Sequence, residues 1–372
     1  MTALTREDSA ALGDALRKVL QDHYDFGGAR RRALAGGPNE LPPLWHRLAA
    51  LGLTGLLLPE THGGFGAGAA DLQQVQAELG RALVVAPWFD GVLAAQAILL
   101  AGTPAQRDAW LPGAQPSGPM AWAGLPPADG PGGASPLRAR RTATGWQLDG
   151  GLASVPHAGC CARLVVAAQL PQEGAAWFVV DGGAPGLERS EHRLLDNGWA
   201  ADLRFAQTAA ELLGPGDVAP APERAAQQQM LQALAGAGRL AEAVGSAQAA
   251  LEDTVRHLRT RKQFGQALGD YQALRHRVAE MYIALEQARS AADLALQAVD
   301  GEPALRSRRA AQAQLVGCET VTWILQQAIQ LHGGMGMTDE LAVGHRYRRM
   351  LVLNVLSGGA SGALASLVAQ DG

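Results

Sequence analysis

Apolar residues recur at every third or fourth position through the last third of the chain. The longest such run is Leu274, Val278, Met281, Leu285, Ala288, Ala292 and Leu296. Because this spacing returns a side chain to the same side of an α-helix at each turn, it predicts a helix with one buried face. Pro303 separates this helix from another predicted over 304–331, and a last helix is predicted over 343–356.

The first hundred residues carry the same periodicity, whereas the middle of the chain follows a different pattern. Helices are predicted over 4–24, 44–51, 71–83 and 89–101. A stretch rich in Pro and Gly covers 119–136. Short apolar runs bounded by turn residues, typical of strands, follow at 146–149, 163–167 and 176–181.

This order predicts a mainly α protein with a middle antiparallel β domain. An N-terminal helical domain is expected over 1–117, a small antiparallel sheet over 118–217 and a C-terminal helical bundle over 218–372. The 372 residues exceed the usual size of one hydrophobic core, which agrees with several parts.

Composition and charge narrow the classes of function. A formal net charge of −4 provides no broad basic surface, so nucleic acid is not expected as a partner. Of the three cysteines, Cys318 stands alone, and the adjacent Cys160 and Cys161 are poorly placed to bridge each other. We therefore expect reduced thiols in a cytoplasmic protein, with Cys160 and Cys161 inert in packing. The chain shows neither a signal-like start nor about 18 uninterrupted apolar residues, so no membrane span is expected.

Four segments give the chain a resemblance to the acyl-CoA dehydrogenases over nearly its whole length. They are Leu51–Leu56, Pro59–Gly64, Arg261–Gly265 and Gln330–Glu340. Several motifs at family-like spacing are far more specific than any one of them. The resemblance implies N-terminal helices, a middle β-barrel or sheet, a C-terminal four-helix bundle that mediates assembly, and FAD as cofactor.

The resemblance implies two groups of FAD-binding residues in the bundle. The first is Arg261, Gln263 and Phe264, and the second is Gln330, Gly333 and Gly334, with His332 as a weaker neighbour. A guanidinium can bond a pyrophosphate twice, an aromatic ring can pack on a flat heterocycle, and glycines let a backbone approach a ligand. In the family these residues usually reach FAD bound mainly in the neighbouring subunit. The plain alternatives are an Arg that caps a helix, a Phe that plugs the bundle and an ordinary turn between helices.

Family members hold the flavin ring with a Thr-rich segment and a Trp-x-Thr segment of their own sheet. The matching stretches here are Ala121–Gly124, which contains no threonine, and Ser154–Pro156, which lacks both the indole and the threonine hydroxyl of the Trp-x-Thr segment. The resemblance therefore implies a chain that holds its own flavin ring poorly and completes the site of a partner.

The carboxylate that removes the α-proton of the thioester in this family is missing at its usual position. Counting along the motifs places that glutamate at Ser357, and no Asp or Glu occurs between Glu340 and Asp371. Serine does not accept a proton at neutral pH without another base. A second position used by some members falls near 235–236, which is not acidic, and Glu242, two turns later, is the only nearby substitute.

The chain is most similar to the divergent small, or beta-type, subunits of pimeloyl-CoA and steroid side-chain dehydrogenases. Tyr24–Phe26 and Gly344–Tyr347 are part of that likeness. The expected function is the non-catalytic subunit of an FAD-dependent acyl-CoA dehydrogenase, paired with a catalytic subunit as an α2β2 heterotetramer and passing electrons to an electron-transfer flavoprotein. Two alternatives stay open: a self-sufficient enzyme with Glu242 as base, and a flavin-free protein that binds CoA thioesters or acts as a scaffold.

Two further features have more than one interpretation. The basic run His345–Arg349 suits either a CoA phosphate, an acidic face of a partner or a solvated helix face. The many Gly and Ala residues over 235–247 suit either a bulky ligand or close packing of helices. The histidines show no spacing typical of a metal site.

Overall fold

The computed structural model describes residues 4–111, 118–124, 137–143, 145–171, 174–215 and 218–371. The helices are α1 (Arg6–His23), α2 (Ala29–Ala35), α3 (Pro43–Ala50), α4 (Ala69–Arg81), α5 (Phe89–Ala101), α6 (Pro104–Trp110), α7 (Ala221–Thr260), α8 (Gln272–Asp300), α9 (Pro303–His332), α10 (Ala342–Leu356) and α11 (Gly359–Asp371). The strands are β1 (Met120–Ala123), β2 (Arg138–Thr142), β3 (Gly145–Pro156), β4 (Arg163–Leu170), β5 (Gly174–Asp181), β6 (Leu187–Arg193), β7 (Trp199–Leu212), β8 (Lys262–Gln263) and β9 (Gln266–Ala267).

The chain folds into two compact units. The first comprises 1–11, 32–68 and 85–232 and holds β1–β7, and the second comprises 12–31, 69–84 and 233–372 and holds α4 and α8–α11. The predicted class, mainly helical around a β domain, is confirmed. The three-domain division stays a prediction, and its boundaries at 117 and 217 lie outside the described residues.

In the sheet of the first unit, the paired strands β4, β2, β3, β7 and β5 form a closed ring. Its strands follow the order β1-β4-β2-β3-β7-β5, β5 also pairs with β4, and β6 pairs with β7. Phe178 and Leu148 are fully buried in the core of this sheet. Most strand pairs are antiparallel, as predicted, whereas β1 and β2 pair in parallel with β4. Parallel strands need a long crossover connection, and enough residues separate β1 and β2 from β4 in the sequence to form one.

The apolar stripe predicted for α8 is confirmed. Met281, Leu285, Ala288 and Ala292 are buried in the second unit, where α8 packs along α9. Hydrophobic residues spaced by three and four thus fix which face of α8 turns inward.

Two glycines bring α4 and α7 into direct backbone contact. A Cβ added to Gly80 would lie 2.0 Å from the carbonyl oxygen of Glu242, and one added to Gly245 would lie 2.0 Å from that of Ala77. Neither distance accommodates a carbon atom. Gly245 therefore allows α4 and α7 to pack closely. For this part of α7, close helix packing is favoured over a bulky ligand as the reason for its small residues.

The segment Ala342–Gln370 is long and apolar enough to cross a membrane by length and composition, and 17% of its most apolar window is buried. It does not form one continuous helix. Gly358 and Gly359 adopt positive φ angles of 77° and 61° and divide it into α10 and α11, of 15 and 13 residues. Each is shorter than the roughly 20 residues that a transmembrane helix needs.

Candidate functional site

The Arg261–Gly265 motif forms an exposed hairpin at the end of α7. Lys262 pairs with Ala267 and Gln263 with Gln266, so β8 and β9 enclose a two-residue turn. The turn residues Phe264 and Gly265 both have positive φ, 52° and 88°, as the tight primed turns of hairpins require. Phe264 is 92% exposed. It does not plug the bundle.

Arg261 joins α7 to this hairpin through its backbone. Its N–H donates to the carbonyl of His257 at 2.8 Å, and its carbonyl accepts from Leu268 at 2.9 Å. Its exposed guanidinium makes no hydrogen bond or ion pair to any residue that the structure describes. The side chain therefore does not cap a helix and is free to meet an anion.

The Gln330–Glu340 motif contains the second exposed element, a 3-10 turn over Gly333–Met337 that we call the glycine turn. Gly333 needs to be glycine because its φ is 62°. Gly334 has neither a positive φ nor any atom within 4 Å of an added Cβ. Nothing in the described structure requires glycine at 334, while Gln330, one turn earlier, is exposed. The backbone here is open to a ligand from outside.

Two stacked histidines bring the exposed hairpin and the glycine turn together. The ring centroids of His257 and His332 lie 4.5 Å apart, with an angle of 28° between the ring planes. His257 lies one turn before Arg261, and His332 directly precedes Gly333. His332 is buried and shares a 2.8 Å hydrogen bond between its Nδ1 and the carbonyl of Ala328. Burial lowers the pKa of His257, and the neighbouring His332 and Arg261 lower it further. The sequence alone gave no signal for this pairing.

Ser357 lies where α10 ends. Its N–H donates to the carbonyls of Leu353 and Asn354 at 3.0 and 3.2 Å, while its buried hydroxyl has no partner among the described residues. The carbonyl of Leu356, directly before it, accepts a 2.8 Å hydrogen bond from Nη1 of Arg239. The position predicted for the base is thus the C-terminal end of a helix, stabilised by a guanidinium from α7.

Glu242, the candidate substitute base, is held by Arg349 of α10. The guanidinium Nε lies 2.6 Å from Oε1 and Nη2 lies 3.2 Å from Oε2. Glu242 is buried, with 11% of its side chain exposed. Both oxygens of this carboxylate are occupied by the guanidinium, which favours the paired helix carboxylate over a base.

The basic run His345–Arg349 is not a solvated face, and two of its members are buried. Arg346 donates to the carbonyls of Gly80 and Arg81 at 3.3 and 2.9 Å, so it caps the end of α4. Burial lowers its pKa to about 10. His345 is also buried, with Nδ1 3.3 Å from Nη1 of Arg30. Both side chains are engaged within the chain, which argues against a CoA phosphate or an acidic partner as their ligand.

In the first unit, the Ser154–Pro156 stretch ends β3. Ser154 has a φ of 52°, its N–H donates to Oδ1 of Asp202 at 2.7 Å, and its hydroxyl lies 3.1 Å from Nε2 of His192. Pro156 pairs with Ala200 of β7 and carries neither N–H nor hydroxyl. The stretch offers no indole and no threonine hydroxyl.

Comparisons with known proteins agree with this architecture. The models of the N-terminal and C-terminal domains of acyl-CoA dehydrogenase match residues 6–115 and 223–371, which together make up more than half of the chain. The chain belongs to the acyl-CoA dehydrogenase family. The acyl-CoA dehydrogenase FadE27 of Mycobacterium tuberculosis is 28% identical over 333 residues, 86% of each chain.

Solved structures of acyl-CoA dehydrogenases share the whole fold. A variant of the Tcur3481–Tcur3483 steroid ACAD superposes with a TM-score of 0.85 and 29% identity, covering 97% of this chain and 96% of that chain. The ChsE4–ChsE5 complex of Mycobacterium tuberculosis superposes with a TM-score of 0.83 and 23% identity, covering 100% and 98%. The second likeness concerns the fold alone.

The exposed hairpin and the glycine turn fit FAD, the cofactor of this family. Arg261 offers an unengaged guanidinium to a pyrophosphate, and the exposed Phe264 ring offers a flat apolar surface to a heterocycle. The open backbone at Gly333 and Gly334 allows close approach. All of these groups lie in the second unit and face outward.

Proposed function

We propose that this chain is the non-catalytic subunit of a heteromeric FAD-dependent acyl-CoA dehydrogenase. In this proposal it lends the exposed hairpin and the glycine turn to FAD held mainly by a catalytic companion subunit. The observation that carries the proposal is the 92% exposed Phe264 beside the unengaged Arg261. Burial of an exposed aromatic ring against a ligand or a partner is favourable because it removes apolar area from water.

The second support is the missing base. FAD, when bound, accepts the hydride from the β-carbon of the thioester, but the α-proton also needs an acceptor. Ser357 ends a helix, and Glu242 is bound by Arg349 at both oxygens. The companion would supply the carboxylate. This division of work agrees with the paired name Tcur3481–Tcur3483 among similar structures.

The setting of the reaction follows from the same proposal. The substrate would be a bulky or unusual acyl-CoA thioester, the complex an α2β2 heterotetramer in the cytoplasm, and the electron acceptor an electron-transfer flavoprotein. The steroid ACAD among the similar structures supports a bulky acyl group.

The test compares the isolated chain with the chain co-expressed with its companion. Flavin absorbance, mass and dehydrogenation of several acyl-CoAs are recorded for both. We expect FAD and activity only in the complex. Stoichiometric FAD with full activity in the isolated chain would overturn the proposal and favour a self-sufficient enzyme.

Two variants locate the contacts. Arg261→Ala and Phe264→Ala are each expected to weaken FAD binding by the complex about tenfold or more, as loss of a charge-assisted bond or of buried aromatic area does. The melting temperature of the isolated chain should stay unchanged, because both side chains are exposed. Arg289→Ala, on the surface of α8 and paired with Glu286, is the matched control and should keep full occupancy. Unchanged FAD occupancy in both test variants would exclude contacts from Arg261 and Phe264 to FAD bound in the companion subunit.

A further inference from the structure

Two adjacent cysteines occupy the turn that joins β3 to β4. Cys160 and Cys161 are both free thiols, Cys160 half-buried and Cys161 3% exposed. Cys161 lies in the core of the sheet, whereas Cys160 packs against that core and is partly exposed. The expectation that both are inert packing stays a prediction.

The turn is fixed by hydrogen bonds on several sides. His157 enters it with a φ of 53°, and its carbonyl accepts from the N–H of Cys160 at 3.2 Å and from its Sγ at 3.3 Å. Nη2 of Arg189, on β6, donates to the carbonyl of Cys161 at 3.3 Å. The N–H of Ala162 donates to the carbonyl of Pro119 at 3.2 Å. The two thiols are therefore presented in one arrangement, with little conformational entropy left to lose on binding.

The two thiols also interact with each other. They share a hydrogen bond, which lowers the pKa of Cys160 and, together with burial, raises that of Cys161. Arg189 lowers the pKa of Cys160 further. Cys160 is thus the thiol with the lower pKa of the two. A thiolate is the form of cysteine that binds soft ions.

A direct S–S bond between these residues is unfavourable. The Cα atoms of neighbouring residues lie about 3.8 Å apart, closer than the 4.4 Å or more that disulfides span with normal geometry. One soft atom placed between the two sulfurs lengthens the bridge and relieves this constraint. The pair is therefore better suited to chelation than to oxidation.

We propose that Cys160 and Cys161 form a chelating site for soft trivalent species of the arsenic and antimony class. With an arsenoxide, each sulfur forms one bond to arsenic, the arsenic–oxygen double bond is lost, and the oxygen leaves as water with the two thiol protons. No oxidation state changes, so no oxidant or reductant is needed. The site lies in the first unit and does not depend on the FAD proposal.

Cys318 provides a control within the same chain. It is buried in α9, accepts a 2.8 Å hydrogen bond from Nε2 of Gln314, and burial raises its pKa to about 12. A single buried thiol with a raised pKa offers neither a thiolate nor a second sulfur. It should not bind.

The experiment titrates the full chain with phenylarsine oxide and follows the intact mass. We expect a single 1:1 adduct that 2,3-dimercaptopropanol reverses and a monothiol at the same concentration does not. Cys160→Ala and Cys161→Ala should each weaken binding by about a hundredfold or more, because a second tethered ligand raises affinity by roughly that factor. Cys318→Ala should bind like the unmodified chain.

Circular dichroism and a thermal melt show that each variant is folded, and alanine is chosen because it leaves an apolar side chain at the buried position 161. An adduct that persists undiminished in a folded Cys160→Ala or Cys161→Ala variant would overturn the proposal. So would an unmodified chain that forms no adduct, or one whose adduct a monothiol removes as readily as the dithiol does.

Discussion

Single residues decide how two helices of the second unit approach each other. Gly245→Ala would place a Cβ 2.0 Å from the carbonyl oxygen of Ala77, so α4 or α7 must move. We expect a loss of about 2 kcal/mol in the free energy of unfolding, since overpacking exceeds the gain in helix propensity. Urea denaturation of the isolated chain measures it.

Gly362→Ala is the matched control for that change. Gly362 lies in α11, and an added Cβ meets no atom within 4 Å among the described residues. The same substitution should therefore leave stability unchanged or raise it by about 0.5 to 1 kcal/mol. Equal effects at 245 and 362 would contradict close contact between α4 and α7.

The pair between Glu242 and Arg349 is the second residue-scale feature. Glu242→Gln removes the charge that a partly buried guanidinium faces, and we expect a loss of about 2 kcal/mol in stability. Under the proposed function the assembled complex should retain its dehydrogenase activity, because the companion subunit would supply the base and the carboxylate of Glu242 is paired with Arg349. Both denaturation and turnover are measured on the same variant.

A more exposed pair of similar geometry serves as the control. Glu252 accepts two hydrogen bonds of 3.0 and 2.9 Å from Arg81, but its side chain is 45% exposed. Glu252→Gln should cost at most about 1 kcal/mol, as pairs in water do. Abolished turnover in a folded Glu242→Gln complex would instead restore Glu242 as the catalytic base.

At the scale of elements, α4 depends on a cap that comes from far along the chain. Arg346 binds the carbonyls of Gly80 and Arg81 where α4 ends. Arg346→Met keeps the length of the side chain but leaves those carbonyls unpaired, so we expect a loss of about 2 kcal/mol. Arg348→Met, which removes an exposed pair with Asp339, should cost at most about 1 kcal/mol. Equal costs would argue against the cap.

Hydrophobic periodicity predicted the long elements well, because the spacing of apolar residues along the sequence determines which face of a helix or strand is buried. The helix predicted over 89–101 matches α5, Phe89–Ala101, residue for residue. The strands predicted at 163–167 and 176–181 lie within β4 and β5. The helix α11 was missed because Gly359 and Gly362 mark it as a loop, whereas packing against α9 supports it.

The site was predictable only where chemistry is carried by residue type. Arg261 and Phe264 were recognised by motif, and the structure adds that a hairpin turn exposes the ring. The partners of Glu242 and Arg346 were not predictable, because each pairing joins residues more than 100 positions apart. Such contacts depend on how helices cross, which spacing along one helix does not encode.

At the scale of the whole molecule, the buried His345 and the half-buried His257 make stability depend on pH. Burial lowers the pKa of His345, and the charges of Arg30 and Arg348 lower it further, while Asp339 acts in the opposite direction. His257 is lowered in the same way. In the unfolded chain both residues titrate near 6.5, so the unfolded state binds protons first as the pH falls.

The sign follows from this difference in proton binding. Above about pH 6.5 both states hold neutral imidazoles, and these residues leave stability unchanged. As the pH falls below that value, stability should decrease until the pH passes the lower pKa of the folded state. Urea denaturation of the isolated chain between pH 8 and pH 5 measures the slope. The variant His345→Asn should show a shallower decrease in stability, because asparagine does not titrate. His23→Asn, at the exposed end of α1, is the control for removal of a histidine. A slope that is unchanged in His345→Asn would show that the buried imidazole beside Arg30 does not control the acid sensitivity of this fold.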